Sequence, residues 1–350
     1  MALGSCLVRV NISLGLLLCG ASCIANADGR FYSYLDIEAS SEPVPIGDMI
    51  DGWDSSFQKG DYAYANASAV MGFEINSWIL ERETRRYYYL TFSPDTAAWY
   101  RDLDQGNERT TQDQIELSAK VLDAQGLRFG YRFEGEYWQI TPKLAVYTVG
   151  HFQFGQLNGV SFDGTGRNVS VELNSYFDED KILDFKADVL EGQGLTLSIA
   201  GDWQISDQWS LNYELNDLFN RWTFEDAAFN KGCVNLGSVD ETVCSSTSSA
   251  SGRSGQEKLI ETIPVNSKAR LTYQPLGLSV AGTMHGRYER LSLAKFWLFD
   301  DIDLGISLHS TNQFGLHVHN RYFQLDVVSD DRRIHYARDA EVTLGISLPW

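Results

Sequence analysis

The run Glu341-Val342-Thr343-Leu344-Gly345-Ile346-Ser347-Leu348-Pro349-Trp350 alternates strictly. Val342, Leu344, Ile346, Leu348 and Trp350 fall on one side of an extended segment; Glu341, Thr343, Gly345, Ser347 and Pro349 fall on the other. Strand side chains change faces with period 2, so the run carries one apolar face and one small or polar face. The apolar face continues to the last residue, where chains usually fray. A terminal Trp in such a place asks for an apolar surrounding.

The same period recurs along the chain. Ile115, Leu117, Ala119 and Val121 alternate with Gln114, Glu116, Ser118 and Lys120, and Leu127, Phe129 and Tyr131 with Arg128 and Arg132. Leu195, Leu197, Ile199 and Trp203 oppose Thr196, Ser198 and Asp202; Trp209, Leu211, Tyr213 and Leu215 oppose Ser210, Asn212 and Glu214. Val169–Asn174, Leu183–Val189, Leu278–Glu289 and Ile302–His309 repeat the pattern. Segments of about ten alternating residues are the signature of a transmembrane barrel. A soluble β-sandwich alternates too, but here the polar face carries both signs of charge, as a lumen would. Trp138, Trp203, Trp209, Tyr273, Trp297 and Trp350 stand near strand ends, where interfacial girdles lie. The expected fold is therefore all-β, a transmembrane antiparallel β-barrel of about 14 strands within a range of 12–16, the count being even.

Connections should alternate between short and long. Ser206-Asp207-Gln208, Gln125-Gly126 and Thr141-Pro142-Lys143 read as tight periplasmic turns. Residues 40–60, 93–111 and above all 220–260 read as extracellular loops, the last with the low-complexity run Ser245–Ser251.

Residues 1–27 read as a cleaved signal peptide: Arg9 is the only charge before Asp28, an apolar core surrounds Asn11–Cys19, and Ala25-Asn26-Ala27 supplies a small-residue cleavage site. Ser22-Cys23 would suit a lipoprotein if Leu stood where Gly20 does. Residues 28–350 are the barrel. Cleavage removes one Arg and no acid, so the formal charge of −19 falls one unit lower. It also removes Cys6, Cys19 and Cys23, leaving Cys233 and Cys244 to form one disulfide across the 220–260 loop. Nothing after residue 27 approaches 18 consecutive apolar residues, yet 13% of the chain is aromatic. Spanning without helices leaves only a closed barrel, in which every backbone group is paired. The acidic balance argues against nucleic acid as a partner.

Candidate chemistry is sparse. His317-x-His319 places two imidazoles on one strand face, which can ligate zinc or copper only with a third ligand from a neighbouring strand. Without one in sight, no metal and no cofactor is assigned. His309-Ser310 point to opposite faces and make no dyad, although His319 with Ser307 or Ser310 on a neighbouring strand is conceivable. No hydrolase motif is present, so no catalytic residue is named and the chain reads as no enzyme. Asp163-Gly164, Asp178-Glu179-Asp180, Asp300-Asp301-x-Asp303 and Asp330-Asp331 offer oxygens for calcium, without a calcium-loop spacing, and suit ordinary turns as well. The inward charges are expected to be Arg128, Arg132, Glu134, Glu136, Lys186, Asp188, Asp202, Glu214, Arg287 and Glu289. They could line a path or pair across and seal it.

The terminal run resembles the closing strand of Gram-negative outer-membrane barrels, whose last aromatic is read by the barrel-assembly machinery. The resemblance implies an outer-membrane location, with outer-membrane lipid and that machinery as partners. A narrower resemblance covers about thirty residues: Gly192-Gln193-Gly194-Leu195-Thr196-Leu197, Asp202-Trp203, Gln208-Trp209-Ser210-Leu211 and Asn216-Asp217-Leu218-Phe219. This stretch looks like a hairpin of the long-chain fatty-acid transporter-like barrel superfamily. That superfamily's amino-terminal hatch has no counterpart, since Asp28-Gly29-Arg30-Phe31-Tyr32 runs straight into strand-like sequence. The expected function is a channel or porter for small or amphiphilic solutes. The alternative is a non-enzymatic structural or assembly barrel that works with a periplasmic partner.

Overall fold

The computed structural model describes residues 29–53, 56–165, 168–180, 185–186, 191–237 and 249–350. Residues 1–27, the expected signal peptide, and Cys244 lie outside them.

Sixteen strand segments build the wall: β1 Gly29–Ser41, β2 Tyr62–Ile75, β3 Trp78–Phe92, β4 Asp113–Tyr131, β5 Trp138–Ser161, β6 Val169–Phe177, β7 Gly192–Ser206, β8 Trp209–Leu236, β9 Ala250–Glu261, β10 Asn266–Tyr273, β11 Leu278–His285, β12 Tyr288–Phe299, β13 Ile302–His309, β14 Phe314–Asn320, β15 Phe323–Ser329 and β16 Asp339–Pro349. They occupy fourteen positions. The long β5 and β8 are bridged by β7 in their lower halves and by β6 in their upper halves. Likewise β8 meets β10 below and β9 above. Every ladder is antiparallel, and β1 pairs with both β2 and β16, which closes the wall. No described helix is long and apolar enough to cross a membrane.

Turns between Ile75 and Trp78, Ser206 and Trp209, Phe299 and Ile302, and Asn320 and Phe323 leave two residues each. These, with the chain ends, mark one rim; the long connections Glu42–Asp61 and Ser93–Gln112 mark the other. Taking the short-turn rim as periplasmic, Trp78, Trp138, Trp203, Trp209, Trp297 and Trp350 all stand beside it with exposed rings. Above them the outward positions form an apolar belt. Leu127, Leu144, Val146, Leu195, Leu293 and Leu308 share the outer face by register, and Leu127 is 61% exposed. Such a belt above an aromatic girdle is what hydrocarbon requires of a barrel. A few outward charges interrupt it on β3 and β4, where Arg86 pairs with Asp123 at 3.0 Å.

Near the other rim the outer face is covered by protein. Helix α1 (Asp48–Asp51) belongs to the first long connection, and helix α2 (Pro94–Gln105) to the second. Ser93 caps α2 by accepting from the Thr96 amide at 3.1 Å, and Gly106 ends it at φ 69°. Ala97 packs with Val44, Trp53, Ala63 and Phe92, while Trp99 packs on Ile115, Val169 and Val171. The wall thus continues beyond the apolar belt as a collar.

Three local expectations are corrected. Gln125-Gly126 and Thr141-Pro142-Lys143 are not turns but lie within β4 and β5. Gly126 serves packing: a Cβ there would come 2.4 Å from the Tyr147 ring. The 220–260 segment is mostly ladder, with β8 running to Leu236 and β9 starting at Ala250.

The closing seam explains the terminal Trp. Its amide donates to the Gly29 carbonyl at 2.9 Å, and its indole lies against Gly29 where a Cβ would collide. Deleting Trp350 is expected to slow assembly into membranes while leaving the final fold intact. The rise of the heat-modifiable band on cold gels measures this, and an unchanged rate would remove Trp350 from the assembly step.

Candidate functional site: the lumen

Alternation sends the even positions of β1, β2 and β4 and the odd positions of β3 inward. Three layers result. On the periplasmic side lies a cavity of about 450 Å³ lined by Arg30, Tyr32, Arg132, Lys143, Gln324 and Ser347, among others.

Above it the lumen narrows to a waist of paired charges. On one side Glu81 meets Arg128 at 3.1 Å and Lys143 at 2.6 Å. Glu83 meets Arg128 at 3.3 Å and accepts hydrogen bonds from Ser68 and Tyr147. Arg85 forks onto both oxygens of Asp217 at 3.0 and 2.7 Å. On the other side Arg290 pairs with Glu38 and Glu341 and donates to Gln313. Lys268 lies 3.4–3.8 Å from Asp36, Glu38 and Glu341, and Tyr288 donates to Glu38 at 3.0 Å. The charged side chains come from eight strands on opposite arcs of the wall. Most are almost fully buried, and pairing across is what makes so many charges tolerable there. The two networks flank a cavity of about 70 Å³ bordered by Tyr34, Glu214, Asp217 and Lys268. Asn66, Asn266 and Arg85 line it, and the buried Asn66 Oδ1, Asn266 Oδ1 and Arg85 Nε have no hydrogen-bonding partner among the described residues.

The third layer is aromatic. Tyr62, Tyr64, Tyr87, Tyr89, Tyr147, Phe152, Trp222, Phe224 and Tyr288 form one buried cluster across the upper lumen. His285 is enclosed in it, its ring 4.6 Å from that of Tyr64 and tilted by 31°, and bonded to the Tyr87 hydroxyl at 2.8 Å. Asp217, at φ 57°, sits in a register shift of β8 that turns its carboxylate toward Arg85.

The expected inward charges divide. Arg128 and Glu214 belong to the waist, Arg132 meets Glu74 beside the lower cavity, and Asp202 faces inward near the periplasmic rim against Asn212. Glu134 and Glu136 are exposed at the connection between β4 and β5. Lys186 lies in a short separate ladder with Glu179, and Asp188 is outside the described residues. Arg287 belongs to the turn at Gly286 and reaches the Asp61 and Phe92 carbonyls. Glu289 pairs with Met284 on the outer face, contrary to expectation, because the two-residue turn at Gly286 (φ 61°) shifts the parity and sends Tyr288 inward. The acidic stretches serve turns: Asp178 accepts from the Phe152 amide, Asp330 from Arg338 and Asp339, and Asp331 from Arg333.

On β13–β15 the inward side chains form a chain of contacts. Ser307 Oγ lies 2.8 Å from Nε2 of both His309 and His317, and His317 Nδ1 lies 2.6 Å from Asp326. This has the reach of a nucleophile, base and orienting acid. Ser307, however, is 3% exposed, and the β13 amides are engaged by ladders on both sides, leaving no donors for an oxyanion.

The closed ladder, the apolar belt and the ion-paired interior define a transmembrane β-barrel with a charge-paired polar waist. No family model and no curated protein matches the chain. Among solved structures, it is similar to the TodX deltaS2S3 mutant monoaromatic hydrocarbon channel, at 10% identity and a TM-score of 0.45, over 93% of this chain and 91% of that one. The Ralstonia pickettii toluene transporter TbuX matches at 7% identity and 0.41 over 92% and 89%. A Pseudomonas aeruginosa FadL homologue matches at 8% and 0.34 over 93% and 90%.

Proposed function

We propose that this chain is a gated porter of the Gram-negative outer membrane for small or amphiphilic solutes, with the ion-paired waist as its gate. The lumen's layered hollow supports the reading. A large lower cavity lies below a small polar one lined by hydroxyl, amide and charged side chains, which suits polar guests. Above these, a packed layer of Tyr, Phe and Trp closes the lumen, a surrounding that suits the apolar part of a solute once its rings move aside. A barrel of fourteen positions is wider than the eight-stranded kind that side chains fill completely. Charge pairs also suit a gate, since each partner can exchange its salt bridge for water or for a solute's polar end.

Planar-bilayer recording of the refolded chain tests the gate. The wild type is expected to be closed for most of the record. Arg290→Gln combined with Glu341→Gln removes both members of one pair, leaves Glu38 and Lys268 to each other at 3.5 Å, and is expected to give steady conducting steps. If both proteins stay silent and vesicles carrying them admit a small aromatic solute no faster than empty ones, the porter reading fails. The structural or assembly reading would then take its place.

A further inference from the structure

We propose that His317, His319 and Asp326 form a binding site for one borderline divalent metal ion of the zinc class on the lumen wall. The two imidazoles lie on the inward face of β14, and Asp326 on β15 is the direct ladder partner of His317. His317 Nδ1 and His319 Nε2 each lie 2.6 Å from the same carboxylate oxygen, and the three donor atoms are all within 4.8 Å of one another. Zinc bound at roughly 2.0–2.2 Å to nitrogen and oxygen holds its donors about 3.3 Å apart, so the carboxylate has to retreat by less than about 1 Å.

The supports of such a site are in place. The other ring nitrogen of His317 is bonded to Ser307 Oγ, and the second oxygen of Asp326 accepts from Gln324 at 2.7 Å. These outer contacts orient ligands and set their donor strength. The Phe296 ring packs against both imidazoles at 5.5 and 6.1 Å, which limits their rotation. His317 is buried and His319 half-buried, and Gln324 lines the lower cavity. Three protein donors thus leave a fourth position open on the lumen side. Two imidazoles and one carboxylate select a borderline ion such as zinc over calcium or magnesium, which take oxygen sets.

The test uses the tag-free mature chain, refolded in detergent and stripped of metal. Cobalt(II) serves as the spectroscopic probe and zinc as its competitor. The wild type is expected to take up a single cobalt ion per chain with the intense visible bands of a tetrahedral site, all displaced by zinc. His319→Gln and Asp326→Asn should each weaken binding at least tenfold, while His335→Gln, at an exposed histidine of the extracellular loops, should leave it unchanged. Heat-modifiable gel mobility identifies variants that have folded. A wild type that shows no stoichiometric tetrahedral cobalt overturns the proposal without recourse to any variant. Folded variants that bind as tightly as the wild type overturn it as well. Metal uptake is read at equilibrium, so the outcome is independent of whether the barrel conducts.

Discussion

Leu197→Arg is expected to lower the barrel's folding free energy in lipid by about 2–4 kcal/mol, the cost of a cationic side chain facing hydrocarbon at mid-depth. Leu197 sits midway along β7, and its ladder partners Leu144 and Phe219 share the outer face with it. Sequence alone predicts the same cost for Leu211. In the structure Leu211 is a single pleat above Trp209 of the periplasmic girdle, beside Trp203 and Leu271. There an Arg reaches the headgroups, and the cost should fall to about 0–1 kcal/mol. Equilibrium urea titrations of both variants in lipid vesicles compare the two directly. Equal costs would contradict the depth assignment, and no cost at Leu197 would contradict the face assignment.

Asp217→Asn should be the most damaging change inside the lumen, at roughly 3–5 kcal/mol. The Arg85 and Asp217 side chains are 9% and 2% exposed, and removing the carboxylate charge strands a buried guanidinium. Asn tolerates the positive φ at this position, so backbone strain is not confounded with lost charge. Combining it with Arg85→Met should recover much of the loss, since a missing pair costs less than a stranded partner. A double-mutant cycle of unfolding free energies measures the coupling. A coupling under about 1 kcal/mol would mean that lumen water already screens the pair.

The wall was largely legible because lipid and lumen impose opposite demands on neighbouring residues, as Leu127 to Tyr131 and Leu195 to Trp203 illustrate. The waist was less so. On β3, Glu81, Glu83 and Arg85 point inward while Arg82, Thr84 and Arg86 point outward, so no hydrophobic alternation reveals the strand. Arg86 is accommodated by Asp123 across the ladder, a cross-strand fact that one segment does not carry. Glu289 was misplaced for a related reason: parity holds along a strand but is reset by each turn. Asp326 is the opposite case. The two-residue turn after Asn320 fixes its pairing with His317, and counting back from that turn would have found the third donor. Gly126 looked like punctuation because sequence does not distinguish a glycine that bends the chain from one that makes room for a ring.

The seam between β1 and β16 has a kinetic meaning. Its ladder joins Arg30 to Pro349 and Ser40 to Asp339, so it closes a loop of some three hundred residues, whereas every other neighbour pair in the lower wall is far closer along the chain. The entropy of that closure is overcome only once, at the end, after the hairpins have zipped in sequence. Until then the nascent sheet carries two unsatisfied edges in a medium that offers them no water. The commitment to the native state therefore rests on the meeting of two strands at opposite ends of the chain, and on how long each can be kept from pairing elsewhere.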